Sequence, residues 1–410
     1  MTQAVWITGV GSLTSLGVGL ESLIAATLTP RSCFINTPQA WRDYPGAPHA
    51  FMSQLDEAAE RVLSSHTTIS TDRSTAMALA VAEQACASAQ LGSLAQPDRA
   101  GVFWGTGMGG LHTTEASYHR QLVDKAPLRP MTVVKIMANA AAGQIALRYG
   151  FQGPNQTYSV ACASSAMAIG EAMWAIRTGR LDVAIVGGAE AMLAPVVMAA
   201  WGALGVLATH QNTVDHLQPC RPFSINRSGL VIGEGAAAFV LESEQHARKR
   251  GAIGLAEVAG YASTCDATSM VKPDVNGQVR AMRMAIADAG FTPANIDSVN
   301  AHATGTDAGD VIETQALSHV FGDLQPTTAA TKAMHGHLLG ATGVVEAAFC
   351  VAALQTGTTP ATLGLDPIDH DCQSTNVAST PRKGAITSVL SNSFAFGGSN
   401  TSLILKKTDL

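Results

Sequence analysis

Charge is scarce in this 410-residue chain: Asp, Glu, Lys and Arg make up 14% of it and the formal net charge is −6. So mild a balance argues against nucleic acid as the main ligand. Low charge together with 47% hydrophobic residues excludes intrinsic disorder. It demands a large buried core and leaves surface to be covered by a partner; the length suits two domains or two halves of one large domain. Paired cysteines are also missing. The seven cysteines are odd in number, scattered, and never form a CxxC pair, which argues against a disulfide framework and structural zinc and predicts a reducing, cytoplasmic setting. No basic residue occurs in 1–9, so no signal peptide is expected. The uncharged tract 191–209 approaches the length of a membrane helix, but Pro195, Gly202 and Gly205 interrupt it. It predicts buried helix and loop rather than a membrane span. The Gly-rich run 105–110 lacks a Lys-Ser/Thr ending and GxGxxG spacing, which excludes a phosphate loop and nucleotide binding.

Strand and helix patterns alternate along the chain, so the fold class is α/β. Apolar runs at 5–10, 101–104 and 183–187 predict strands, the last of them buried on both faces of a sheet. Asp72 caps an Ala-rich helix over 73–90, another helix is expected over 133–149, and 36–57 reads as loop. After 250 the pattern begins again: strands at 254–261, 296–301 and 327–331, helices at 278–289, 310–321 and 340–354, then closing strands at 385–392 and 401–406. The two ends share an outline of strand, Gly-rich turn and helix, although their residues match poorly. The expected division is 1–250 and 251–410, with no linker between the halves.

Three strand-to-helix junctions carry chemistry-bearing side chains. Ser159-Val160-Ala161-Cys162-Ala163-Ser164-Ser165 places Cys162 between a strand and the start of a helix. There the helix dipole and free N–H groups should lower the thiol pKa. Asn300-Ala301-His302-Ala303-Thr304-Gly305-Thr306 ends a strand on a histidine followed by two hydroxyl side chains. Thr331-Lys332-Ala333-Met334-His335-Gly336-His337 sets a lysine and two histidines before a small-residue helix containing Glu346. In α/β sheets, ligands collect at strand ends of this kind.

Taken together, these motifs resemble the elongating β-ketoacyl-ACP synthases of the synthase II type in the thiolase superfamily. The likeness runs through Thr8-Gly9-Val10-Gly11, 105–110, Cys220-Arg221-Pro222-Phe223, Gly233-Glu234-Gly235 and Phe394-Ala395-Phe396-Gly397-Gly398. It implies a thiolase-like fold, two similar halves in an α-β-α-β-α layering, with Cys162 in the first half and His302 and His337 in the second. By resemblance, Cys162 is the acylated nucleophile. His302 and His337 assist decarboxylation, and Lys332 and Glu346 form an ordering ion pair. The N–H groups of Cys162 and Phe396 make the oxyanion hole, Thr304 and Thr306 hold the pantetheine arm, Phe396 gates the acyl pocket and Met108 lines its far end. The implied reaction is condensation of malonyl-ACP with a Cys-bound acyl chain to give 3-oxoacyl-ACP, with no cofactor and no metal. The alternatives are a non-catalytic chain-length-factor-like subunit and a Cys-His thioester hydrolase. The implied partners are acyl carrier protein and a second subunit, either a copy of this chain or a chain-length-factor-like ketosynthase. The apolar tract at 191–207 is the expected contact surface. Departures from the family pattern are Ala303, Ser224, Val271, His210 and the extra His335, with only Arg61 and Arg73 as cations around the 73–90 helix. These fit a specialised aryl-polyene or other type II polyketide pathway.

Overall fold

The computed structural model describes residues 3–408. Its centre is a run of strands laid down twice. In the first half these are β1 (Val5–Thr14), β2 (Ala100–Gly105), β3 (Asn155–Tyr158), β4 (Val183–Glu190) and β5 (Gly235–Ser243). In the second they are β6 (Ala256–Cys265), β7 (Ser298–Asn300), β8 (Thr327–Ala329), β9 (Ser388–Ala395) and β10 (Ser399–Lys406). Read outward from the centre, the first half runs β1-β5-β4-β2-β3 and the second β6-β10-β9-β7-β8. The order, and the change from antiparallel to parallel pairing along it, is the same in both. Among the described residues, the two strand runs pair with each other through β1 and β6 at Trp6–Glu257 and Ile7–Ala256.

The helices that matter for the site and its layers are α1 (Arg73–Ser88), α2 (Ala140–Tyr149), α3 (Ser164–Arg177), α4 (Pro195–Ala203), α5 (Val275–Asp288), α6 (Asp307–Phe321) and α7 (Thr342–Thr356). α3 and α7 pack on each other and touch strands of both halves, so they form the middle layer; α1 covers the outer face of the first sheet and α5 that of the second. The result is five layers, α-β-α-β-α. A middle layer has no polar face, and α7 is accordingly apolar all round. Residues 339–356 are long and apolar enough to cross a membrane, but 89% of them are buried inside the fold.

The duplication extends to individual glycines. A Cβ on Gly9 of β1 would lie 2.1 Å from the Ala85 carbonyl oxygen of α1, and one on Gly260 of β6 would lie 2.3 Å from that of Ala285 on α5. Both strands shift register at that glycine. The outer helices therefore approach the sheets at backbone contact, which only a missing side chain permits.

Several local expectations need correction. The helix expected over 133–149 is two, Thr132–Ile136 and α2, because Met137 is extended at φ −63°, ψ 135°. Within the expected loop at 36–57 lies a strand, Phe51–Ser53. β1 runs on to Thr14, four residues past the strand expected over 5–10. In the tract 191–209, Ala191, Met192, Leu193, Ala194, Val197 and Met198 are buried in the chain's own core, while Val196 and Leu204 are about half exposed. A second set of exposed apolar side chains lies at 118–137, where Tyr118, Leu122, Val123 and Val133 are each more than 60% exposed.

Candidate active site

Cys162 sits in a single 3₁₀ turn, Ala161–Ala163, that runs directly into α3. The preceding Ala161 has φ +47°, a left-handed conformation costly for a residue with a Cβ. The turn is held by the Ser164 hydroxyl, which donates to the Ala161 carbonyl at 2.7 Å and accepts from the Val160 N–H at 3.0 Å. The second half repeats this device as Leu339–Ala341 leading into α7, with Leu339 at φ +44°. Gly340 occupies the position that corresponds to Cys162.

The two histidines arrive at the sulfur from the other half. His302 follows β7. Its backbone N–H and that of Ala303 donate to the two Glu313 oxygens of α6 at 2.9 and 2.7 Å. His337 is pinned between main chains, donating to the Val231 carbonyl at 2.7 Å and accepting from the Gly233 N–H at 2.9 Å. Its Nε2 lies 2.9 Å from Cys162 Sγ, and the two imidazoles meet edge-on at 5.4 Å between centroids. One ligand-type atom from each of Cys162, His302 and His337 falls within 4.8 Å of the others.

The surroundings fix both imidazole tautomers. The Leu339 N–H points at His337 Nδ1 from 3.3 Å. The Thr342 hydroxyl, 3.0 Å from the same nitrogen, already accepts from the Leu338 N–H at 2.9 Å and so has its proton to give. His337 Nδ1 is therefore an acceptor and the ring proton is on Nε2, facing the sulfur. For His302 the donor is Lys332, whose Nζ lies 3.3 Å from Nδ1, 2.5 Å from the His302 carbonyl oxygen and 2.6 Å from Glu346 Oε1. Those contacts use all three ammonium protons and leave His302 Nε2–H free to donate into the cavity. Burial first, then the Lys332 cation, pushes both imidazoles well below the usual histidine range, so both are neutral near pH 7. The set resembles a Cys-His₂ metal site in composition. Its two imidazole nitrogens, however, carry protons toward the shared space and act as donors rather than ligands.

The thiol overturns one expectation. Burial pushes Cys162 up to about 12, against the pull of the Lys332 cation and of the Phe396 and Cys162 N–H groups that point at the sulfur. Desolvation of a fully buried thiolate outweighs the stabilisation that its place at a helix start predicts. The raised value favours the protonated thiol near pH 7.

A cavity of about 290 Å³ opens on these groups, lined by Cys162, His302, His337, Thr304, Thr306 and Phe396 among others. The Thr304 and Thr306 hydroxyls are 3.0 Å apart. Their loop is shaped by buried Asp310, which accepts from the Gly305 N–H at 3.1 Å and the Phe223 N–H at 2.8 Å. Phe396 stacks on Trp201 at the cavity wall, with centroids 5.8 Å apart. Val271 is at the cavity's edge, half exposed. Lys332 and Glu346 are fully buried, and desolvation pushes the Glu346 carboxyl up to about 7 against the pull of Lys332. Met108 is not among the residues lining this cavity: it is 44% exposed, and its backbone N–H donates to Glu190. His335 lies behind the site, 3.2 Å from the Thr331 hydroxyl and stacked on Phe349. His210 stacks on His49 at 3.4 Å on the surface. Sequence reasoning missed Glu313 and Glu190. Glu190 closes an otherwise uncharged strand and hydrogen-bonds to backbone far along the chain, whereas Glu313 lies on a helix with two other acids and holds the His302 and Ala303 N–H groups 11 and 10 residues before it.

The comparisons agree with this geometry. The β-ketoacyl synthase N-terminal domain model matches residues 2–247 and the C-terminal domain model 255–366. Nodulation protein E of Rhizobium meliloti is 36% identical over 410 residues, covering 99% of this chain and 100% of that protein. The 3-oxoacyl-[acyl-carrier-protein] synthase 2 of Staphylococcus aureus (strain COL) is 38% identical over 343 residues, 82% of each chain. Among solved structures, the ishigamide ketosynthase/chain length factor superposes with a TM-score of 0.90 at 31% identity over the whole of both chains. The ketosynthase ApeO in complex with its chain length factor ApeC from Xenorhabdus doucetiae gives 0.82 at 27% identity, covering 99% and 98% of the two chains. With both domain models matched in order, Cys162 in the first and His302 and His337 in the second, the chain belongs to the β-ketoacyl synthase family.

Proposed function

We propose that this chain is an elongating 3-oxoacyl-[acyl-carrier-protein] synthase that joins a Cys162-bound acyl group to a malonyl unit. The observation that carries the reading is the pair of neutral imidazoles whose Nε2–H groups converge on the buried sulfur. A hydrolase would use such a histidine as a base, and here neither Nε2 has a free lone pair. In the first half-reaction the sulfur attacks the acyl thioester. The S–C bond to the carrier breaks, and the Cys162 proton leaves with the carrier thiol. In the second, malonyl thioester loses CO₂, and the resulting enolate oxygen accepts from His302 and His337. The enolate carbon then attacks the acyl-enzyme. The tetrahedral oxyanion is met by the Cys162 and Phe396 N–H groups, each donor of this kind supplying about 3 kcal/mol in other enzymes. Collapse breaks the S–C bond to Cys162 and releases a 3-oxoacyl thioester two carbons longer, and the Cys162 thiolate takes up one proton from solvent, the proton that the overall decarboxylative condensation consumes. Thr304 and Thr306 line the route for the pantetheine arm. The test supplies acyl-carrier and malonyl-carrier to the purified protein and follows CO₂ and product mass. The expected product is the two-carbon-longer 3-oxoacyl carrier; CO₂ with only acetyl carrier would contradict the reading.

The second subunit is a ketosynthase-fold partner, with a chain-length-factor-like chain favoured by the ketosynthase/chain-length-factor structures among the similar proteins. The exposed apolar side chains at 118–137 and the edge position of β3 supply the surface, since patches of that kind are rarely left uncovered. Val133 is 64% exposed in the single chain. Val133→Asp should therefore leave the Tm of the isolated chain within a degree or two while the assembly dissociates on size-exclusion chromatography. Unchanged assembly would place the interface elsewhere. The carrier and the pathway, an aryl-polyene or other type II polyketide system, belong to this same proposal.

A further inference from the structure

Glu190 closes β4, is fully buried, and has no ion-pair partner among the described residues. Backbone holds it instead. Its Oε2 accepts from the N–H of Gly107 at 2.6 Å and of Gly340 at 3.0 Å. Its Oε1 accepts from the N–H of Met108 at 3.0 Å and from the Thr106 hydroxyl at 3.4 Å. Thr106 to Met108 belong to the Gly-rich loop of the first half, and Gly340 belongs to the turn that follows His337 in the second. Leu339, next to Gly340, supplies the N–H that fixes His337 Nδ1 as an acceptor, from a backbone at φ +44°. The clamp has no slack: a Cβ on Gly340 would lie 2.4 Å from the Gly107 nitrogen and 2.7 Å from Glu190 Oε2.

The geometry points to Glu190 as a positioning residue that ties the 106–108 loop to the 339–341 turn and thereby aims His337 Nε2–H at the reacting atoms. Burial holds its carboxyl near 7 against the pull of the three N–H groups, so near neutral pH it carries a large share of negative charge. That charge also raises the Cys162 thiol. Glu190→Gln should therefore act in opposite directions on two reactions. An amide oxygen satisfies one edge of the clamp and sets its NH₂ against N–H groups on the other, so His337 loses registration. Removing the charge meanwhile makes Cys162 more acidic. An acid that merely supported the fold would slow both reactions together.

The inference rests on the condensing-enzyme reading, but its test does not. Glu190→Gln and Leu339→Gly, which loosens the same turn and keeps the charge, are compared with the parent protein in three measurements: 3-oxoacyl product formation, iodoacetamide alkylation of Cys162 between pH 6 and 9, and the ¹⁵N signals of His337. Condensation is expected to fall about 10- to 100-fold in both variants. Alkylation at pH 7 should rise in Glu190→Gln, with the His337 Nε2–H signal broadened or shifted in both variants. Parallel loss of condensation and alkylation, or a parent-like His337 signal, overturns the proposal. If Glu190→Gln does not fold, Leu339→Gly decides it. Should the parent protein itself fail to condense, the functional reading falls, while the alkylation and ¹⁵N results still decide the clamp.

Discussion

Cys162→Ala protein is expected to form no acyl-enzyme and to lose condensation by on the order of 10⁴-fold or more, as removing a covalent nucleophile does elsewhere. The side chain is 5% exposed and its sulfur meets the His337 Nε2–H at 2.9 Å, so alanine leaves a small dry gap and an unpartnered donor. The stability cost is modest, about 1–2 kcal/mol, and the fold should persist. Product analysis with acyl-carrier and malonyl-carrier checks this, beside a melting curve. Continued chain lengthening by folded Cys162→Ala protein would remove the sulfur from the mechanism.

Lys332→Met has the second large effect, and it separates into two parts. The first concerns stability. Lys332 Nζ is 2.6 Å from Glu346 Oε1 with both side chains fully buried, and removing one partner of such a pair costs about 3–5 kcal/mol. The Glu346 carboxyl is already held near 7 by desolvation and rises further without the cation. A carboxyl raised in the folded state contributes stability at low pH that is lost as pH climbs through its folded pKa. The parent protein stops losing stability to this group near pH 7, whereas Lys332→Met continues, so its deficit should grow by about 1.4 kcal/mol per pH unit above 7. Thermal unfolding at pH 6 and pH 8 reads this directly; an equal deficit at both would contradict it. The second part concerns catalysis. His302 loses the donor that fixes Nδ1 as an acceptor, so its proton is no longer held on Nε2 and decarboxylation should fall about 10²-fold or more. Lys332→Met/Glu346→Leu should recover most of the stability and none of the activity. Recovery of both would mean that the lysine serves the fold alone.

Much of the site was legible because it is local. His302 and His337 each stand at a strand-to-helix junction, His337 beside Leu339 and Thr342 that orient it, and Lys332, which orients His302, lies five positions before His337 in the same motif. The duplicated architecture was legible in outline, and the structure makes it concrete in matched strand order and in the paired glycines Gly9 and Gly260. What escaped is long-range. Glu190 reads as an ordinary acid after Gly187-Gly188, and its partners are 83 and 150 residues away along the chain. The acidity of Cys162 was misjudged because a helix start is visible in sequence, whereas burial by Met192, Met198 and Leu339 is a tertiary fact. The apolar tract 191–209 drew attention as a surface because hydrophobicity is visible, whereas the burial of part of it is not. The exposed apolar face at 118–137 is diluted by polar neighbours and shows only once the chain is folded.

The central claim is a covalent acyl group on one buried sulfur, discharged by a carbanion and not by water. The most direct test is intact mass of the protein incubated with acyl-carrier, followed by peptide mapping and then addition of malonyl-carrier. The expected result is one added acyl mass on the peptide containing Cys162, stable in buffer and lost when malonyl-carrier is added, with the two-carbon-longer 3-oxoacyl carrier appearing in equal amount. An adduct on another residue, or release of the acyl group as free acid before malonyl-carrier is present, would contradict the account.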